Sequence, residues 1–526
     1  MCEAKICDIM TRHNNKRLGT RMRAGVAAHL RACRSARQFL RLAVTRGSFL
    51  GLPGRQAGLP GCRQQGRKSD FDLRRDFDMT MTTLKPFALL PFAASAWLLL
   101  TAGTPASAAP PDNDAGVQAV VGAVAQTSLQ NTVSTLAAMP TRHTLSAAGN
   151  AQAAKWIAAQ FTAISQSTGG RLQVALDTWT QPAGGRLTAP TSMTNVIATL
   201  PGTATPERIV IISGHYDTRV SDVMNATGNA PGADDDASGV AVALEMARVM
   251  AGHRYPATIK FVAVTGEEQG LYGSTHLAQE MVSGSKNVIA MVNNDIVGSS
   301  HGQSGVYDPS QISVYAAPTN PAATATQLSS QQSAGTDADT PARTLGRAIL
   351  DADRRYVPSF GTALMYRMDR YLRGGDHEPF VQQGYAAVRF TEPNEDWRHQ
   401  HQDVTVVNGV QYGDLAQFVD FSYLTNVARV NAATVASLAS APPTPTNVLL
   451  TANLSPVTTL NWDYIPDAAA YEVLWRVNNA PDWQNVQLVQ NAQTVTLPVS
   501  KDGYLFAVRS VSASGSRSLP GIPTAH

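Results

Sequence analysis

RIVIISGHYD, residues 208–217, decides how this chain is read. After Arg208 the run is apolar and β-branched with no turn former, the pattern of a strand buried on both faces. Gly214 then releases it into His215, Tyr216 and Asp217, so a buried strand ends on an imidazole and a carboxylate. Three further runs behave the same way. TIKFVAV (258–264) leads to Gly266-Glu267-Glu268, VIAMVN (288–293) to Asn294-Asp295, and AAVRFT (386–391) to Glu392. Between the first two, GVAVALEMARVMAG (239–252) repeats apolar residues at helical intervals and stops at Gly252. Strands alternating with helices predict an α/β fold, a mostly parallel mixed sheet with helices on both faces. Ligands of such sheets gather outside the carboxyl ends of the strands, where these polar groups converge.

Upstream, residues 112–167 are Ala-rich with helical spacing, and AAKWIAAQF (153–161) reads as an amphipathic helix. Residues 301–345, rich in Ser, Thr, Ala, Gln and Gly, read as an insertion or flexible loop with a short strand at ISVYAA. The α/β domain is thereby expected to occupy 109–438. At ASAPPTPTNV the texture becomes a proline-rich linker. Beyond it LNWDY, AYEVLWRV, TVTLPV and YLFAVRSVSAS alternate aromatic and β-branched residues between turns, which predicts an all-β sandwich over 439–526. This segment resembles a fibronectin type III domain in Trp462, the Tyr471-Glu472-Val473 strand and the strand from Tyr504 to Ser512. The resemblance implies a binding or spacer module that contacts a surface or polymer.

The net charge of +3 conceals an asymmetry, because residues 1–80 hold 17 of the 42 Lys and Arg but 6 of the 39 Asp and Glu. All four cysteines, Cys2, Cys7, Cys33 and Cys62, lie there too. Without that segment the chain is mildly acidic, which argues against a nucleic-acid partner. Met79, Met81 and Lys85 precede the apolar run PFALLPFAASAWLLLTAG, which ends before Ala106-Ser107-Ala108. A charged start, an apolar run and a small-residue cleavage site form a secretory signal peptide, expected over 79–108. Residues 1–78 are then an upstream extension, non-native or disordered, and the mature protein is secreted or periplasmic with no membrane span after signal removal.

Three adjacent aspartates, Asp234 to Asp236, repel one another unless cations neutralise them, and one carboxylate can bridge two ions. Histidine mixed with carboxylate suits zinc better than calcium or magnesium. Two such ions together can activate a water and polarise a carbonyl, the apparatus of a hydrolase.

HYD, PGADDDASG, GEEQGLYGS, NND and HQHQD, in that order, resemble the co-catalytic di-zinc aminopeptidases of the bacterial leucyl aminopeptidase type, over about residues 115–435. The resemblance implies two Zn2+ per chain, one held by His215 and Asp295, the other by Glu268 and His399, with Asp235 bridging and Glu267 as general base. His401 competes with His399, which is preferred for its four-residue spacing to Asp403. Asp217 matches the aspartate that orients the ligand histidine. Where the relatives place a tyrosine before the pair matching Asp376-His377, this chain has Leu372, leaving Tyr371 or Arg373 to serve the oxyanion. Asp376 and His377 are read as walls of the site.

Peptides are the expected substrates, attacked at the N-terminus. A glutaminyl-peptide cyclase of the same fold is also resembled, including at Tyr272-Gly273-Ser274, and a carboxypeptidase or dipeptidase of the same superfamily would share the metal centre. Arg367, Arg370 and Arg373 could read a free carboxylate. A purely structural metal in a non-enzymatic surface-binding protein would leave Glu267 without a role.

Overall fold

The computed structural model describes residues 109–525. The upstream extension expected over 1–78 and the signal peptide over 79–108 lie outside the described residues. Among the described residues no helix is long and apolar enough to cross a membrane.

Three helices come first: α1 (Ala115–Gly122), capped by the Asp114 carboxylate, α2 (Gln126–Ala137) and α3 (Ala147–Ser167). The α3 helix contains the AAKWIAAQF stretch and buries Ile157 and Phe161. There follow β1 (Gln173–Gln181), β2 (Thr191–Leu200), β3 (Thr205–His215), α4 (Ala237–Met250), β4 (Ala257–Val264), the single turn α5 (Glu267–Gly270), α6 (Tyr272–Ser283) and β5 (Asn287–Asn294). Then come β6 (Gln311–Ala316), α7 (Ala325–Ala334), α8 (Pro341–Tyr356), β7 (Gly361–Met365), α9 (Glu378–Gln382), β8 (Ala387–Thr391), the hairpin β9 (Thr405–Val407) and β10 (Val410–Tyr412), and α10 (Phe421–Ser440).

Eight strands form one mixed sheet in the order β1-β2-β4-β3-β5-β8-β6-β7. Its centre, β4-β3-β5-β8, is parallel, and β1, β2 and β6 join antiparallel to their inner neighbours. Consecutive residues of β3, Ile209 to Ile212, are all buried. Because side chains alternate across a strand, both faces of the sheet are covered there. Each of the four quoted apolar runs is one of the central strands, and each ends at the same edge.

Residues 301–345 depart from the expected loop. Gln311–Ala316 is an interior strand, parallel to β7 and antiparallel to β8, with Ile312 and Val314 fully buried. The short strand expected at ISVYAA is thus present, and what the polar flanks concealed is its interior place in the sheet. Only α7, which buries none of its residues, has the surface character the composition suggested.

The C-terminal segment has β11 (Leu449–Leu450), β12 (Thr458–Asn461), β13 (Ala470–Val477), β14 (Asn485–Val489), β15 (Thr494–Leu497), β16 (Tyr504–Val511) and β17 (Thr524–Ala525). They form a four-stranded sheet, β15-β12-β11-β17, and a three-stranded one, β14-β13-β16. Leu460 and Leu497 of the first pack with Tyr471, Val473, Phe506 and Val508 of the second and with Trp462. The boundary expected at residue 439 falls in the last turn of α10.

Candidate metal centre

The C-terminal end of β3 meets the N-terminus of α4 at Gly214 and Gly239. A Cβ on Gly214 would lie 2.4 Å from the Gly239 carbonyl carbon, so only glycine allows this approach. The contact brings the aspartate triplet to His215, and the three carboxylates diverge. Asp236 caps α4, accepting from the Gly239 amide at 2.8 Å and the His215 amide at 2.9 Å. Asp234 turns away to accept from the Gly298 amide at 2.7 Å. It also lies against Glu392, and burial pushes both carboxyls up, Asp234 to about 6. Only Asp235 enters the cleft.

There His215 Nε2 lies 3.0 Å from Asp235 Oδ1 and 3.8 Å from Asp295 Oδ1. On the other side of the same carboxylate, His401 Nε2 lies 2.8 Å from Asp235 Oδ2 and 3.1 Å from Glu268 Oε1. His215, Asp235 and Asp295 thus form one group able to hold a metal, and Asp235, Glu268 and His401 a second. Asp235 belongs to both, one oxygen to each.

His399 is the correction. It lies outside both groups, its ring stacked on Phe418 at 3.5 Å and its Nδ1 3.6 Å from Asp396. The chain takes a left-handed turn at His401 (φ +52°), which swings that imidazole into the cleft. Spacing to Asp403 was therefore a misleading guide. Asp403 instead accepts from the Ser221 hydroxyl at the surface.

The surroundings fit cations. Asp217, Asp235, Asp236, Glu267, Glu268, Asp295 and Asp376 crowd together, and Arg389 is the guanidinium that touches them, donating to Asp295 Oδ1 at 2.7 Å. Glu268 Oε1 is buried and faces His401 Nε2 at 3.1 Å. His215 places Nδ1 3.1 Å from the Asp217 carbonyl, which assigns its proton there and leaves the Nε2 lone pair facing the cleft. Burial opposes charge on His401, yet Glu268 and Asp235 raise it to about 10. Burial likewise opposes charge on His215, and Asp217, Asp235 and Asp295 raise it well above the usual range. Both imidazoles would hold protons where no metal is bound, so metal and proton compete for these atoms.

Glu267 stands beside Glu268 but in neither ligand group. Burial, then Asp295, Glu268 and Asp376, hold its carboxyl well above the ordinary range. The Asp217 carboxylate, expected to orient His215, lies 3.7 Å from His215 Nδ1 and also accepts from the Glu268 amide at 3.1 Å, the Glu267 amide at 3.3 Å and the Thr144 hydroxyl at 3.0 Å. It fixes the backbone of the Glu267-Glu268 turn. Asp376 is fully buried and neither oxygen has a hydrogen-bond partner; burial pushes it to about 7. His377 contacts the Met368 carbonyl through Nε2 at 2.7 Å. Arg373 pairs with Glu395 at 2.7 Å and donates to Gln400, which donates to Asp235 Oδ2 at 3.2 Å. Tyr371 is largely exposed under Arg367, and Leu372 is fully exposed.

Three supports escaped the sequence reading. Arg142 is fully buried and donates to the carbonyls of Leu136, Tyr216, Pro231 and Gly232, clamping the two loops that lead to Asp217 and Asp235. Asp414 accepts from the Asp234 and Asp235 amides, both at 2.8 Å. Arg389, within AAVRFT, links Asp295 to Asp369. A charged residue inside an apolar strand was the one available signal, and it pointed to Arg389 alone.

Residues 195–420 match peptidase family M28. A "Probable zinc metalloprotease" of Pyricularia oryzae is 44% identical over 424 residues, covering 78% of this chain and 84% of the relative. Another, of Leptosphaeria maculans, is 43% identical over 410 residues, covering 76% and 95%. Among solved structures, the Legionella pneumophila LapA aminopeptidase matches 63% of this chain and 77% of its own, at 20% identity and a TM-score of 0.46.

Proposed function

From the premise that the chain belongs to peptidase family M28, whose matched relatives are named as zinc metalloproteases, we propose that it is a two-zinc exopeptidase releasing residues from the free N-terminus of peptides. The observation that carries this reading is the sharing of Asp235 between two ligand groups. His215, Asp235 and Asp295 would hold one ion, and Asp235, Glu268 and His401 the other. When bound, the ions supply Lewis acidity and lower the pKa of a water. Glu267 takes the proton of the attacking water and delivers it to the departing amine, a role suited to a carboxyl beside the ligand Glu268 but in neither ligand group.

Two features favour the amino end. The cleft is lined by carboxylates, which suit an ammonium group. Of Arg367, Arg370 and Arg373, the cations that could have read a free carboxylate, Arg370 and Arg373 are engaged by Glu395 and Arg367 lies over the Tyr371 ring. The apolar run and Ala-x-Ala site over 79–108 support export, for which N-terminal sequencing of the mature protein is the check.

A substrate panel tests the reading. Aminoacyl p-nitroanilides and peptides with free N-termini should be hydrolysed, and their N-acetyl forms should not, in protein carrying two zinc ions. Equal cleavage of acetylated peptides would overturn the assignment of the amino end. Conversion of a Gln-peptide to its pyroglutamyl form without amino-acid release would place the chain among cyclases instead.

A further inference from the structure

Away from the cleft, α6 carries His276 and Glu280 one turn apart on the same face, opposite Asp177 of the edge strand β1. His276 Nε2 lies 3.4 Å from Asp177 Oδ1 and 3.5 Å from Glu280 Oε1. A charge-assisted hydrogen bond is about 2.7–2.9 Å long, so neither separation is a good one. Two ligands on a tetrahedral zinc, with bonds of about 2.0–2.2 Å, stand about 3.4 Å apart. These atoms are spaced as ligands rather than as hydrogen-bonding partners.

The imidazole is also held in place. It stacks flat on Trp179, with ring centroids 4.1 Å apart and planes 5° from parallel. Trp179 lies two residues along β1 from Asp177 and so on the same face of the strand. Asp177 Oδ2 is buried and has no hydrogen-bond partner. All three side chains are partly exposed, which leaves room for water as a further ligand.

We propose that Asp177, His276 and Glu280 form a separate surface site for a divalent transition metal, Zn2+ in the first instance. An imidazole with two carboxylates selects this class over calcium or magnesium. Lys260 and Lys286 lie close to one another, and Lys260 is near both Asp177 and Glu280; their charge opposes a dication and makes the site weaker than one in the cleft. An ion there ties the edge of the sheet to α6, the helix that directly follows the Glu267–Gly270 turn.

The test compares the full mature chain with a His276→Ala variant, both equilibrated with buffered free zinc and analysed for bound metal. The expected result is one ion per chain fewer in the variant, whatever number the cleft holds, so failure of the two-zinc reading leaves this difference intact. Zinc-loaded wild type titrated with Cu2+ should lose Trp fluorescence through Trp179, and a Trp179→Phe variant should lose less. Glu280→Gln, at an exposed position that cannot disturb folding, should weaken the extra site by about tenfold or more. Equal metal content in wild type and His276→Ala, or unchanged affinity in Glu280→Gln, overturns the proposal.

Discussion

The seam between the α/β domain and the C-terminal sheets and the cleft at the strand ends are both built from buried Asp, Glu and Arg, and they manage that charge differently. At the seam Asp339 lies between Arg347 at 2.6 Å and Arg476 at 2.8 Å. Glu472 lies between Arg509 at 2.6 Å and Arg517 at 2.8 Å, and Arg509 reaches on to Asp351 at 3.0 Å. Trp483 closes over Arg347 and Arg476. Each of these three carboxylates has its counter-charge in the chain. Among the described residues, seven carboxylates in and around the cleft share one touching guanidinium, since Arg142 spends its hydrogen bonds on carbonyls. A region that supplies its own cations is a fixed joint. One that lacks them is a receptacle.

The comparison is broken most sharply at Glu267, which the receptacle reading leaves outside the ligand set. Glu267→Ala should keep its zinc and lose about 10²–10⁴-fold in kcat, the usual contribution of general acid–base catalysis. Loss of zinc with the activity would instead make Glu267 a ligand. His401→Ala should lose metal and activity together, whereas His399→Ala should retain both to within a few-fold. The reverse ranking would restore the expectation drawn from spacing.

Asp339→Ala tests the joint. It leaves Arg347 and Arg476 buried with no carboxylate between them, a change that costs about 3–5 kcal/mol. Denaturant unfolding should show the loss, with zinc content unchanged in the fraction that remains folded. Chelation should do the converse: it should lower the stability of the wild type, have zinc addition reverse the loss, and destabilise Asp339→Ala by the same increment. Non-additive effects would mean that seam and cleft are coupled.

How much of this was legible before the structure follows the same division. The central strands and four of the cleft residues, His215, Glu267, Glu268 and Asp295, could be read because each comes just after an apolar run, while Asp235 stood out through the aspartate triplet and the family resemblance. The strand at Gln311–Ala316 could be read from ISVYAA, but its interior place in the sheet could not, because its partners β7 and β8 are distant in sequence. The choice between His399 and His401 turns on one positive φ, which residue types do not announce. Arg142 and Asp414 act on backbone groups far along the chain, and such partners leave no motif. Two arginines of the seam, Arg476 and Arg509, sit in alternating strands, where a charged residue is ordinarily read as solvent-facing.

Asp353 supplies the smallest and most discriminating case, a carboxylate with neither a built-in cation pair nor a metal group. It is buried in α8 with Oδ1 unpartnered. Burial raises it to about 6, only partly offset by Thr362 and Arg354. An unfolded aspartate titrates near 3.9. The folded state therefore prefers the protonated form. The cost of ionising Asp353 is absent below about pH 4, grows as pH rises towards 6, and is constant above that. Asp353→Asn removes this dependence. Its stability relative to wild type should improve by about 1–2 kcal/mol between pH 4 and pH 7.5, less than the full shift implies because the site is partly solvated. Denaturant unfolding at the two pH values measures it. The constant effect of the amide cancels in that difference, so a flat difference across pH would mean that Asp353 is neutralised by a partner after all.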